Sequence, residues 1–168
     1  MQAVCNSLCA LRKVREAKVE ERAKVRTRKE AIKTIPVLIR EAQVSFNAWI
    51  RARDAKEPCI SCGAPPPDLS ELHAGRDAGH YRSTGSASHL RFHPDNCNAQ
   101  CVKCNQWGAG RAVEYRLGLI KRIGLSRVEA LENDNTPHKW TADELRSIRT
   151  EYRQKAKQLR EANEARTD

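Results

Sequence analysis

Two cysteine pairs of identical spacing, "CISC" at Cys59 and Cys62 and "CVKC" at Cys101 and Cys104, constrain this chain more than any other feature. With two residues between the thiols, one tight turn presents both sulfurs to a single ion, and two such knuckles complete a tetrahedral Zn²⁺ site. Four thiolates leave no open coordination position, so such an ion braces structure rather than performing chemistry. The alternative is reduced thiols that bind nothing. Residues 63–100 separate the knuckles, more than a compact zinc ribbon holds, so this insert must fold as something of its own. Cys97 lies outside both pairs and reads as a buried or spare thiol. Cys5 and Cys9 form a looser third pair that cannot close a site alone.

A metal staple suits the remaining composition. With three Trp, three Tyr and two Phe in 168 residues, a large core is not expected, and a small one needs a further constraint. Lys and Arg number 31 against 21 Asp and Glu, a net charge of +10. That balance favours polyanions, phosphate backbones above all; its bland counterpart is a solvated basic surface. The N-terminus lacks the apolar run of a signal peptide, and no stretch approaches the roughly 20 apolar residues of a membrane span. The expectation is a soluble intracellular chain without a membrane partner, in a compartment where clustered cysteines hold metal rather than disulfides.

Long helical patterns flank the insert. Residues 11–33 carry ten basic and four acidic side chains without Gly or Pro, which predicts a charged helix, either a second nucleic-acid contact or a solvated arm. Pro36 predicts a break. Residues 37–53 repeat Leu38, Ala42, Phe46 and Trp49 at helical spacing, a core-facing stripe. Short strands are expected around His80 and across "HLRFH", 89–93. "AVEYRLGLIKRIG" predicts a helix capped by Gly124. "SRVE" (126–129) and "TADE" (141–144) have capping-box form, the second opening a helix to about Ala165 with Leu145, Ile148, Tyr152 and Leu159 on one side. The expected organisation is a basic arm over 1–35, a core with its leading helix over 36–125, and a helical region over 126–168. The fold class is α+β, mostly helical, with long terminal helices around a small metal-braced core.

The insert and its end hold His80, Asn96 and Asn105. Phosphodiester hydrolysis needs an activated water and a cation on the leaving oxygen. An imidazole takes a proton near neutrality, and a hard divalent cation takes oxygen or imidazole ligands. In that chemistry His80 is the general base, Asn96 positions the hairpin and the ring, and Asn105 offers an oxygen to Mg²⁺ or Mn²⁺. Asp77 is the candidate carboxylate ligand; it shares the strand parity of Gly79, or it is a turn aspartate bonding its own backbone. Arg76, Arg82, Arg91, Lys103 and Arg111 surround these residues in sequence and are candidate phosphate contacts. His73 and His138 read as surface residues, while His89 and His93 flank a short apolar segment within reach of a metal or phosphate.

"NCNAQCVKCN" (96–105) resembles the HNH endonucleases, whose zinc-bearing members place a histidine, an asparagine and a final His or Asn between and just after two such knuckles. Those enzymes commonly carry a metal-binding side chain directly before the histidine, where this chain has Gly79. "PCISCG", "DAGHYRS", "LRF", "QCVKCNQ", "YRLGLIKRIG" and "KWTADE", in that order from about Pro36 to Arg160, resemble the NinG (Rap) recombination endonuclease family of phage lambda. Members also carry an N-terminal cysteine-rich finger, whose second pair Cys5 and Cys9 match. The resemblance implies a zinc-braced ββα-metal core and structure-specific cleavage of branched recombination intermediates, Holliday junctions and D-loops. It further implies a phage or prophage protein in the bacterial host cytoplasm, with a homodimer and recombination proteins as candidate partners. Two other classes stand beside it: a non-catalytic zinc-finger DNA-binding module, which does not need His80, and a zinc-stabilised interaction protein working through its C-terminal helix.

Overall fold

The computed structural model describes residues 7–66 and 75–165, so Cys5 and His73 lie outside the described residues. The chain forms two compact units, Met1–Val37 and Leu38–Asp168. Most of the first is helix α1, Ser7–Ala31, which buries no residue. Strong helix formers and exposed i,i+4 pairs sustain it, Arg12–Glu16 at 2.8 Å and Glu20–Lys24 at 2.7 Å. The break falls one turn earlier than Pro36 predicts: α2 spans Ile35–Arg53 with Pro36 in its first turn, where a missing N–H costs nothing.

In the second unit, Leu38, Ala42, Phe46 and Ile50 of α2 pack against Leu145 and Tyr152 of α5, Ala142–Glu164, with Trp49 and Trp140 at the margin. Phe46 meets Tyr152 edge-on at 4.8 Å. A second cluster joins Ile60 of the first knuckle to Tyr115 and Leu119 of α3, Ala112–Ile123, and to Val128 and Leu131 of α4, Leu125–Asn133. A Cβ on Gly118 would overlap the Ile60 carbonyl oxygen, so only glycine lets α3 lie this close to the knuckle. Gly124, at φ 85°, ends α3 and opens α4 directly. The "SRVE" box therefore does not cap a helix, because Ser126 already lies inside α4. Thr141 and Glu144 do form the reciprocal box that opens α5: Thr141 N–H donates to Glu144 Oε2 at 2.8 Å, and Glu144 N–H to Thr141 Oγ1 at 3.3 Å.

One antiparallel hairpin lies between the clusters, β1 Arg76–His80 and β2 Cys97–Cys101, with Arg76 opposite Cys101 and His80 opposite Cys97. The second strand is thus not "HLRFH", which instead contains the end of a 3₁₀ turn, Ser88–Leu90. Leu90 belongs to one cluster and Phe92 to the other, a divergence that suits a turn rather than a strand. β2 escapes hydropathy reading because it buries Asn98 and Gln100. A polar node around Asp54, only 3% exposed, compensates: its Oδ2 accepts from Ala99 N–H at 2.8 Å, and Arg53 and Arg122 flank the carboxylate. Arg53 also donates to the Cys97 carbonyl at 2.9 Å. Tyr115 O–H donates to the Gly79 carbonyl at 2.8 Å and accepts from Asn98 at 3.2 Å. The fold is mostly helical around one small sheet. Among the described residues no helix is long and apolar enough to cross a membrane.

Candidate functional site

The knuckles meet at the open end of the hairpin. The Sγ atoms of Cys59, Cys62, Cys101 and Cys104 all lie within 4.8 Å of one another. Cys62 and Cys101 are 3.8 Å apart, close to the edge of about 3.8 Å that a tetrahedron with arms of about 2.3 Å requires. The first knuckle is a tight turn: Gly63 N–H returns to the Cys59 carbonyl at 2.9 Å, with Gly63 at φ 70°. Burial disfavours a thiolate at Cys59, but N–H donors from Cys62, Cys101 and Ser61 outweigh it and bring this thiol down to about 7. At Cys101 burial pushes the other way, and at Cys104 burial and the neighbouring thiols both do. The four thiols can hold one metal ion such as zinc.

His80 ends β1. Its Nε2 lies 2.9 Å from the Arg91 carbonyl oxygen, which only an N–H can satisfy, so in the neutral ring the lone pair sits on Nδ1. Nδ1 is 3.9 Å from the buried Cys97 Sγ. Burial lowers the His80 pKa; the bond to the Arg91 carbonyl opposes this and the Arg91 charge assists it. The Cys97 thiol is raised, first by burial. The Asn96 amide bonds other groups than the ring: its Oδ1 accepts from Arg82 N–H at 2.8 Å, and its Nδ2 donates to the Arg82 and Leu90 carbonyls at 3.0 and 3.1 Å. It ties together the segments on either side of the ring's carbonyl partner.

Asp77 and Asn105 come together: Asn105 Nδ2 donates to Asp77 Oδ2 at 2.8 Å, and Gln106 Nε2 to the same oxygen at 2.9 Å. Asn105 and Gln106 sit in one π-helical turn, Lys103–Trp107. α3 starts only at Ala112, because Ala109, Gly110 and Arg111 all adopt positive φ. Alternation along β1 places Asp77 and His80 on opposite faces. Gly79 shares the Asp77 face, and the space its side chain would fill holds Gln100 Oε1, with Asn105 Oδ1 3.1 Å from the same point. Gln100 is 1% exposed, and its Nε2 donates to Ser61 and to the Gly110 carbonyl, both at 2.7 Å.

The basic residues divide. Arg82 is taken up by the Leu131, Glu132 and Asp134 carbonyls and by Asn135. Arg76 reaches the Glu57 and Ala64 carbonyls, and Arg91 donates to Gln43 and Thr84. Lys103 and Arg111 are exposed, Arg111 with Glu114 at 4.0 Å. His89 bonds the Asp134 carbonyl at 2.8 Å, His93 Nδ1 accepts from Asp95 N–H, and His138 approaches Glu144. Gln100 and Asp54 were not among the sequence candidates. Gln100 has a local sign, since it shares β2 parity with Asn98 beside a knuckle. Asp54, in a charged run before Pro58, has none.

Taken together, a basic and mostly helical chain with one hairpin tied by four cysteine thiols defines a small cysteine-knuckle protein able to hold a structural metal. The family described as Bacteriophage Lambda NinG protein matches residues 1–164, and the chain belongs to that NinG family. It is 45% identical to Protein ninG of Salmonella phage P22 over 139 residues, 83% of this chain and 66% of that one. It is 45% identical to Protein ninG of Escherichia phage lambda over 137 residues, 82% of this chain and 64% of that one. The chain therefore spans just under two thirds of these relatives' length. No solved structure matches.

Proposed function

We propose that this NinG-family chain is a metal-dependent DNA endonuclease of the HNH type, its ββα-metal core braced by zinc at Cys59, Cys62, Cys101 and Cys104. The observation that carries the reading is the His80 ring, whose Nε2 is fixed on the Arg91 carbonyl so that the neutral ring carries its lone pair on Nδ1, with burial favouring that neutral form. That is the tautomer and charge a general base needs. The Cys97 thiol, kept protonated by burial, is the S–H nearest that lone pair, so an attacking water would take its place on Nδ1. Asn96 acts as a positioning residue through Arg82 and Leu90.

Asp77 and Asn105 would hold the divalent ion, with Gln100 Oε1 beside Gly79 as a further oxygen; this group lies on the face of β1 opposite His80, so ion and base would meet one phosphate only across the end of the strand. Bound there, Mg²⁺ or Mn²⁺ supplies charge that stabilises the phosphate and its leaving oxygen. Lys103 and Arg111 are the exposed phosphate contacts, with Arg91 beside the ring; Arg76 and Arg82 serve the DNA path by shaping its walls. Branched recombination intermediates, Holliday junctions and D-loops, are the substrates the family resemblance implies. A two-fold dimer matches the symmetry of a junction. Recombination proteins are partners, and the setting is the bacterial host cytoplasm.

The test is cleavage of a labelled four-way junction and a matched linear duplex with Mg²⁺ or Mn²⁺. The wild type is expected to cut the junction, and His80→Ala to lose at least about 100-fold in rate while binding is retained. The second reading, a non-catalytic zinc-finger DNA-binding module, is favoured by the two amides that already close on Asp77. Tight junction binding with no cutting under either metal establishes it instead.

A further inference from the structure

Trp107 is 83% exposed, the most exposed of the large hydrophobic residues described. Its position argues against an incidental surface residue. It ends the π-helical turn that carries Lys103, Asn105 and Gln106, and it follows Gln106, whose amide bonds Asp77. Among the described residues no ring stacks on it and no cation sits over its face. The segment that follows is strained, with Ala109 at φ 49° and Arg111 at φ 48°, conformations L residues rarely hold.

This strained segment is nevertheless fixed. The Gly110 carbonyl accepts from Gln100 Nε2 at 2.7 Å and Ser61 Oγ at 3.4 Å; Gly110 N–H returns to the Cys104 carbonyl, and Arg111 N–H to the Gly108 carbonyl, both at 3.0 Å. The Arg111 side chain folds back over Gly108, its Cγ 3.1 Å and Nε 3.3 Å from where a Gly108 Cβ would stand. An exposed indole therefore stands at the start of a pinned loop, with the exposed cations Lys103 four residues before it and Arg111 four residues after it in the chain. Among the described residues Glu114, 4.0 Å from Arg111, is the acid paired to either.

We propose that Trp107 is a stacking platform for an unpaired nucleobase, and that it supplies this chain's preference for branched over fully paired DNA. A fully paired duplex buries its base faces against one another and offers none to the indole, whereas a branch point, flap or gap exposes them. Stacking on an aromatic tolerates any base, because every base has a π face. Lys103 and Arg111 hold the adjoining phosphates. The inference rests on the nuclease reading for its substrate class, yet it concerns binding and is tested apart from cleavage.

The experiment measures binding of the full chain to gapped DNA with unpaired bases, the same DNA with abasic sites at those positions, and fully paired duplex, with no divalent metal added. Wild type, Trp107→Ala and Trp107→Phe are compared. Trp107→Ala is expected to weaken gapped-DNA binding on the order of tenfold and to leave duplex binding unchanged, with Trp107→Phe close to wild type. Abasic sites are expected to weaken the wild type as much as Trp107→Ala does, with no further loss when both are combined. Equal weakening on gapped and paired DNA overturns the proposal, as does an abasic gap that binds wild type as tightly as the intact one. So does a Trp107→Ala variant that binds all three DNAs normally while a self-associated form dissolves. Discrimination through Trp107 in a chain that never cuts leaves this inference standing and removes the nuclease reading; cutting with undiminished branch preference in Trp107→Ala removes this inference alone.

Discussion

His80 shows how one buried imidazole links chemistry to stability. Burial is the largest influence on it and lowers its pKa, whereas an unfolded histidine titrates near about 6.5. As pH falls, the unfolded chain therefore binds this proton first. The stabilisation is complete above about 6.5 and is lost as pH falls through the folded value. Between pH 7 and 5, the denaturation midpoint of wild type should fall more steeply than that of His80→Gln; parallel slopes would mean that the ring is not held neutral by the fold. His80 was singled out in "RDAGHYRST" through its neighbours in the pattern. Its hydrogen-bond partner was not, because a backbone carbonyl eleven residues away leaves no side-chain signature. Asn96 was singled out as a residue type; its bonds to the Arg82 backbone and the Leu90 carbonyl were not readable.

At the scale of elements, hydrophobic periodicity located α2, α3 and α5, whose buried faces are apolar at helical spacing. It failed at β2, where Asn98 and Gln100 are buried through Tyr115, Arg53, Ser61 and Gly110. Polar residues satisfied by partners far along the chain look like a loop to any rule based on alternation. The α3–α4 junction defeated local reading for a different reason: Gly124 serves both helices, leaving Ser126 no terminus to cap. Gly118 makes an element-scale prediction. In a free helix, Gly→Ala gains up to about 1 kcal/mol. Here the new methyl would overlap the Ile60 carbonyl, so Gly118→Ala should destabilise by about 1–3 kcal/mol. A denaturant titration decides it, and a stabilised variant would show that α3 does not lie this close to the knuckle.

For the molecule as a whole, the four thiols join segments that the sequence keeps far apart, and their pairing was readable from spacing alone. One zinc per chain is expected by metal analysis. Chelation, or Cys104→Ser, should lower the thermal midpoint and remove cooperative unfolding of residues 38–168, because the binding free energy of a structural metal is folding free energy. An unchanged melting curve with metal fully removed would leave the thiols as ordinary packing. Asp54 carries a consequence of another kind, in time rather than strength. It joins Ala99, 45 residues away, and Arg122, 68 residues away. Contacts of such separation close only after the intervening chain has collapsed. Removing the Asp54 carboxylate should therefore speed unfolding far more than it slows folding, which makes this one side chain a determinant of how long a folded molecule lasts once made.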